Sequence, residues 1–172
     1  IDLLMDLCRQ FVEEHRDEFV ERGIRLQVIG DLEELPTATR RAVEASIEAT
    51  QKGQGMTLTL ALGYGGRNDL VGAVRAIAAR AQAGLLLPEE IDENSLRSFL
   101  TTEPLPDPDL VIRTGGEKRL SDFLIFESAY AELFFADIMW PAFDESVLDQ
   151  AIAAYARRER RYGQTGAQVA AS

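Results

Sequence analysis

Asp109-Leu110-Val111-Ile112-Arg113-Thr114-Gly115-Gly116-Glu117-Lys118-Arg119-Leu120-Ser121 begins the stretch, running on to Glu132, around which the rest of the chain is ordered. Leu110, Val111 and Ile112 form a short aliphatic run that predicts a strand buried on both faces. Polar chemistry follows at once, and in an open α/β sheet the crevice beyond the carboxyl ends of the strands is where ligands bind. Gly115 and Gly116 allow positive φ or close approach of the backbone to a ligand. Guanidinium forks match phosphate oxygens, so Arg113, Arg119 and Ser121 around this turn suggest a phosphate or diphosphate pocket. A structural salt-bridge knot at a strand end is the plainer use of the same groups.

Outward from this stretch the chain reads as strands followed by helices. Upstream, Ile24 to Ile29 alternates as a strand ending at Gly30-Asp31, and Met56 to Leu62 alternates as another, ending at Gly63-Tyr64-Gly65-Gly66-Arg67. This second glycine and arginine turn is either a tight strand-to-helix connection or a further wall of the crevice. Helical spacing predicts a helix from Ile1 to Arg22, with Ile1, Leu4, Leu7, Cys8, Phe11, Val12 and Phe19 inward. No capping residue precedes it, so the chain as given is expected to begin inside an element. Further helices are predicted from Pro36 to Gln51, with Ala42, Val43, Ser46, Ile47 and Thr50 inward, from Asp69 to Ala83, and briefly from Asp92. Pro104, Pro106 and Pro108 stiffen the approach to the central strand. Downstream, Leu133, Phe134 and Phe135 read as a buried strand, Asp144 as an N-cap, and Glu145 to Tyr162 as a helix. The β-then-α order predicts an α/β fold, a mostly parallel central sheet with helices on both faces.

With 172 residues, residues 1–163 are expected to form one domain, followed by a flexible tail over 164–172. A net charge of −11 argues against nucleic acid as a partner, though not against a local anion site. Cys8, the single cysteine, permits no internal disulfide and reads as a structural thiol on an apolar helix face. His15, the single histidine, excludes paired-histidine catalysis and a multi-histidine metal site, and reads as a surface residue. With no apolar run of membrane-spanning length and no signal peptide in view, the expected location is cytoplasmic.

As a string, Ile112-Arg113-Thr114-Gly115-Gly116-Glu117, then Arg119, Ser121, Phe123-Leu124 and Ala129-Tyr130-Ala131-Glu132, resembles the C-terminal signature of the cis-prenyltransferases, whose bacterial type is undecaprenyl diphosphate synthase. The resemblance continues through Trp140-Pro141-Ala142-Phe143 and ends at Arg158-Glu159-Arg160-Arg161-Tyr162-Gly163, covering essentially the whole chain. It implies an enzyme, a transferase that condenses isopentenyl diphosphate onto an allylic diphosphate such as farnesyl diphosphate. The product would be a long polyprenyl diphosphate, undecaprenyl diphosphate in the case of the cell-wall lipid carrier. Carried over residue by residue, Arg113, Arg119 and Ser121 hold the diphosphate of isopentenyl diphosphate, Glu117 orients the arginines, and Glu132 ligates Mg²⁺. Arg161 and Gly163 match an Arg-x-Gly tail motif that in some members reaches the partner subunit's site; the basic run Arg157 to Arg161 would equally complement a helix dipole. The resemblance further implies a homodimer and, from release of a long lipid product, a loose association with the inner face of the membrane.

The largest departure is that the family's Asp-Gly-Asn-Gly-Arg-Trp segment, which carries its essential aspartate, and its Asn-Trp-x-Arg motif do not occur in this sequence. The chain therefore looks like the C-terminal two thirds of a family member, and no catalytic residue is assigned within it. A non-catalytic partner subunit of a heteromeric enzyme is the rival reading, favoured by that departure and disfavoured by the intact arginine pocket. Smaller departures are Asp122 where Asn is usual, Lys118 where some members have His, Phe126 for Trp, Gly63 for Asn and Ala142 for Asp.

Overall fold

The computed structural model describes residues 2–158. Arg161 and Gly163, the tail 164–172 and the last turns of the helix expected to reach Tyr162 lie outside the described residues. The chain has two compact units, one through Pro106 and one from Asp107 on. The expected α/β organisation is present: strands pair in parallel in both units, a helix connects them in the first, and a loop with a 3₁₀ turn connects them in the second, where α6 follows.

In the first unit, α1 (Asp2–Glu14) and α2 (Arg16–Glu21) precede β1 (Arg25–Ile29), and α3 (Thr37–Thr50) carries the chain to β2 (Thr57–Ala61). Strand β1 pairs with β2 in parallel, Leu26 opposite Leu58 and Ile29 opposite Ala61. The long helix α4 (Gly66–Gln82) and the short α5 (Glu93–Arg97) follow. The predicted single helix from Ile1 is broken at His15, whose φ of −95° and ψ of 0° interrupt the regular ladder. The imidazole lies 4.9 Å from the Phe11 ring and stacks on Phe19 at 6.0 Å, while its Nδ1 sits 2.9 Å from Glu18. The hydrogen bond with His15, and then the Arg22 charge, hold the Glu18 carboxyl below its ordinary value.

Contact with α3 decides which side of α1 is buried. Val12 enters the core with Phe19, Leu26, Ala42 and Val43, and Cys8 packs against this cluster. Partial burial raises the Cys8 thiol above its ordinary value. Leu4, Leu7 and Phe11, expected to face inward, are exposed instead, because the buried row follows the i, i+4 line through Cys8 and Val12 that meets α3. On α3 the expected inward face is the observed one: Ala42, Val43, Ser46 and Thr50 are all buried. Each fully buried aliphatic side chain contributes about 1.5–3 kcal/mol, so this cluster is the main stabilising element of the unit.

Two polar side chains in this core do the work of a missing strand neighbour. Thr50 Oγ1 accepts from the Leu26 backbone N–H at 3.0 Å and donates to the Ser46 carbonyl at 2.8 Å. Ser46 Oγ in turn accepts from Arg16 Nε at 3.0 Å and reaches the carbonyls of Val12 and Ala42. The edge of β1 that β2 does not cover is thereby tied to α3 at Leu26, whose backbone donor is satisfied. At the far end of the strand, Gly30 sits at φ +103° with no room for a Cβ, which would fall 2.2 Å from the Leu62 carbonyl oxygen.

In the second unit, β3 (Leu110–Arg113) pairs in parallel with β4 (Glu132–Phe135), Leu110 opposite Glu132 and Arg113 opposite Phe135. Helix α6 (Glu145–Ala156) is capped by Asp144, whose carboxylate accepts from the Val147 N–H as expected, and it buries Ala151. It ends at Ala156, short of the expected Tyr162, where Arg158 N–H turns to the Tyr155 carbonyl and tightens the last turn. Every residue of β3 is half-buried rather than sealed on both faces, and Leu133 of β4 is exposed.

Thr50→Val keeps the shape of the buried threonine but leaves the Leu26 N–H without its acceptor. Urea unfolding is expected to show a loss of about 1–3 kcal/mol for Thr50→Val and a smaller loss for Thr50→Ser, which retains the hydroxyl. Equal stability of Thr50→Val and the parent chain would contradict this account of the β1 edge.

Candidate functional site: a self-bonded arginine loop

The carboxyl ends of β3 and β4 come together because the two strands are parallel and in register, and the loop leaving Arg113 closes over them. Its backbone is held there by two hydrogen bonds: Gly115 N–H donates to the Ile138 carbonyl at 2.7 Å, and Gly116 N–H donates to the Ala136 carbonyl at 3.2 Å. Both glycines have positive φ, +86° and +73°, as their place in a tight turn requires. Their N–H groups therefore point at carbonyls just beyond the end of β4 and are not free to cradle an anion.

The polar side chains of the loop converge. Arg113 Nη1 donates to the Arg119 carbonyl oxygen and, at 2.7 Å, to Ser121 Oγ. Arg119 Nε donates to the same hydroxyl at 3.1 Å, and Arg119 Nη1 pairs with the Glu117 carboxylate. Sequence reasoning placed Arg113, Arg119, Ser121 and Glu117 together, and the structure brings all four to one point. A serine hydroxyl has two acceptor lone pairs and one proton. With both guanidinium groups donating to it, Ser121 has its O–H left to give to another acceptor. Two cations and one outward O–H make a site for an anion carrying several oxygens.

The loop reaches this arrangement through unusual backbone. Ser121, Asp122 and Leu124 have φ of +49°, +66° and +45°. Left-handed residues without glycine cost of order 1–3 kcal/mol each and persist where the surroundings over-determine them. Aspartate tolerates this region better than most residues, which accounts for an Asp at position 122. Directly after the loop, Glu127 and Ser128 are buried at 5% and 7% exposure, in the 3₁₀ turn Glu127–Tyr130 that delivers the chain to β4.

Glu132 lies elsewhere. It opens β4 opposite Leu110, three residues before the end that faces Arg113, a distance of roughly 10 Å along a strand. Its carboxylate pairs with Arg158 at 3.5 Å, beside a small cavity lined also by Leu133, Ala151, Ala154 and Tyr155. Among the described residues no group of three or more His, Cys, Asp or Glu side chains could hold a metal ion. One paired carboxylate does not itself make a Mg²⁺ site. A carboxylate from beyond the loop was missed by sequence reasoning: Asp137 Oδ1 lies 3.8 Å from where a Cβ on Gly116 would stand. The signal for it was the parallel register, which brings the residues after Phe135 up beside those after Arg113.

The other glycine and arginine turn lies in the first unit. Gly63, Tyr64, Gly65 and Asn68, with Gly30 and Asp31, line a cavity of ≈ 360 Å³ at the carboxyl ends of β1 and β2. Asp69 borders it, its carboxylate accepting from the Thr101 N–H at 3.1 Å and from the Thr101 hydroxyl at 2.9 Å. Arg67 is exposed on the first turn of α4 and does not line the cavity.

Comparison with known proteins names the class that this fold and loop define. The model of the putative undecaprenyl diphosphate synthase family, Prenyltransf, matches residues 1–163, and the chain belongs to that family. An isoprenyl transferase of Geobacillus kaustophilus is 47% identical over 95% of this chain and 63% of its own length. The (2E,6E)-farnesyl-diphosphate-specific ditrans,polycis-undecaprenyl-diphosphate synthase of Pectobacterium atrosepticum is 42% identical over 96% of this chain and 65% of its own. Lavandulyl diphosphate synthase from Lavandula x intermedia, solved in complex with dimethylallyl diphosphate, superposes with a TM-score of 0.91 at 36% identity, over 95% of this chain and 71% of that one. The chain thus spans a little under two thirds of the length of these curated relatives.

A Cβ at Gly116 meets nothing closer than the Asp137 carboxylate at 3.8 Å, so Gly116→Ala tests backbone conformation and not crowding. It is expected to lower unfolding stability by about 1–2 kcal/mol, read as a lower urea midpoint at constant slope. An unchanged midpoint would mean that the turn does not hold φ positive at this position.

Proposed function

We infer that this chain carries the isopentenyl diphosphate site of a cis-prenyltransferase. The observation that carries the reading is the convergence of Arg113, Arg119 and Ser121 on one point at the carboxyl end of a parallel strand pair. The reaction condenses isopentenyl diphosphate onto farnesyl diphosphate or a longer allylic diphosphate, and the product is a long polyprenyl diphosphate, undecaprenyl diphosphate for the cell-wall lipid carrier. Supporting it are the family to which the chain belongs and relatives named as isoprenyl transferases and as an undecaprenyl diphosphate synthase. The non-catalytic partner reading is not favoured, since nothing in that role calls for a loop that gathers two guanidinium groups and a hydroxyl.

In this reading the arginines bind and orient and do not themselves transfer protons, since arginine stays charged. Arg113 and Arg119 neutralise the diphosphate of isopentenyl diphosphate, and Ser121 donates its remaining O–H to it. The homoallylic double bond is thereby fixed in direction, so that attack on the allylic carbon becomes an intramolecular-like encounter. Mg²⁺, a hard cation suited to phosphate oxygens and often held by one or two carboxylates plus the substrate, would accompany the diphosphates and would stabilise the departing charge. Glu132 stays assigned to that metal as the family resemblance implies, even though it stands apart from the arginines of its own strand pair. A homodimer, in which the segment bearing Arg161 and Gly163 reaches the partner's site, belongs to the same reading. No described helix is long and apolar enough to cross a membrane; contact with the inner membrane face would come through the lipid product.

Calorimetric titration with isopentenyl diphosphate tests the site directly. Arg113→Ala and Arg119→Ala are each expected to weaken binding at least about tenfold, which corresponds to about 1.4 kcal/mol. Ser121→Gly, which removes the hydroxyl while relieving the left-handed backbone, is expected to lose several-fold despite equal or better stability. Isotherms of all three variants that overlay the parent's would end the assignment.

A further inference from the structure

The arginine loop is satisfied before any ligand arrives, and the partner that Arg119 uses is itself an anion. A guanidinium offers two edges for bidentate binding, Nε with Nη2 and Nη1 with Nη2. In Arg119 the first edge has Nε engaged by Ser121 Oγ at 3.1 Å, and the second has Nη1 engaged by the Glu117 carboxylate. Neither edge is wholly open. A diphosphate approaching Arg119 therefore competes with one of these partners for a guanidinium nitrogen, and Ser121 is also tied to Arg113 at 2.7 Å. Glu117 is the partner more easily displaced. The pair is solvent-exposed, the side chains 63% and 48% accessible, and such pairs contribute little to stability.

Resting on the isopentenyl diphosphate reading above, we propose that Glu117 is a built-in stand-in for the ligand. Its carboxylate holds Arg119 in the empty loop, gives way to the diphosphate, and then lies beside the bound anion as a like charge. This role is opposite in sign to the one expected from the sequence, in which Glu117 orients the arginines and helps binding. An orienting carboxylate would leave a bidentate edge clear for the ligand; here Glu117 engages a terminal nitrogen of the edge that the ligand needs. The consequence is a site that screens one of its two cations when empty, and that binds less tightly but releases faster than the same loop without Glu117. Glu117 is thus a positioning residue acting through Arg119.

The sign of one substitution separates the two roles. The full chain and its Glu117→Gln variant are titrated with inorganic pyrophosphate and with isopentenyl diphosphate, with thermal melts checking that both are folded and Glu117→Ala as a second variant. The expected result is tighter binding of both ligands by about threefold in the variants, from loss of a competing surface pair. The gain should vanish when Glu117→Gln is added to Arg119→Ala, since the effect runs through that guanidinium. Weaker binding by Glu117→Gln and Glu117→Ala would overturn the proposal in favour of orientation, and unchanged binding would overturn it in favour of a bystander. If the parent chain binds neither ligand, the anion site fails and this inference with it; if the parent binds and only the sign is wrong, the site stands and the inference alone falls.

Discussion

Two arginines six residues apart have to share one short loop at the end of a strand, and the rest of the second unit follows from how their charges are met. Arg113 reaches forward to the Arg119 carbonyl and the Ser121 hydroxyl, and Arg119 closes back on the same hydroxyl and on Glu117. The chain can make that circuit only by turning through left-handed backbone at Gly115, Gly116, Ser121 and Asp122. The glycines accept this freely; the serine and aspartate do not, and the hydrogen bonds at Ser121 are what hold it in place. Polar contacts here specify a conformation more than they stabilise a fold.

The direction of the strands converts that local knot into a located site. Because β3 and β4 run parallel, their carboxyl ends coincide, and the N–H groups of Gly115 and Gly116 find acceptors at Ile138 and Ala136 beyond the end of β4. The same register sends Glu132 to the opposite end, where Arg158 of the chain following α6 meets it. One parallel pair therefore carries a cationic end and an acidic end, and the family's diphosphate chemistry falls on the cationic one in the proposed reading.

How much of this was legible in the sequence depended on the range of the interaction involved. Aliphatic runs, glycine turns and the Asp144 cap are local signals, and β1, β2, β3, β4, α3 and α6 all stand where those signals put them, to within a few residues except at the end of α6. The four residues of the arginine loop were legible too, since eight or nine positions of chain cannot carry them far apart. What could not be read was settled by tertiary contact. The break at His15 falls where its ring meets Phe11 and Phe19, and the contact of α1 with α3 decides that Val12 is buried while Leu4, Leu7 and Phe11 are not. The half-buried state of β3 depends on how many neighbours the strand has, which a four-residue run does not encode. Asp137 was missed because its closeness to Gly116 arises from strand register across more than twenty residues of chain.

A loop that satisfies its own cations faces a compromise that bears on the affinity of any ligand it takes. Were Arg113 and Arg119 left without partners, like-charge repulsion would open the loop, and ordering it again would be charged against binding. With partners already in place the loop is preorganised, but each partner must either stay and share, as Ser121 can through its free proton, or leave, as Glu117 can. Affinity for a diphosphate is then the difference between two sets of charge-assisted hydrogen bonds, not the sum of one. Such a difference can be small even when the final contacts are strong. In the proposed reading the diphosphate held here stays on the elongated product while the allylic diphosphate departs, so the product has to leave this loop after each bond formed, and a modest difference serves turnover better than a large one.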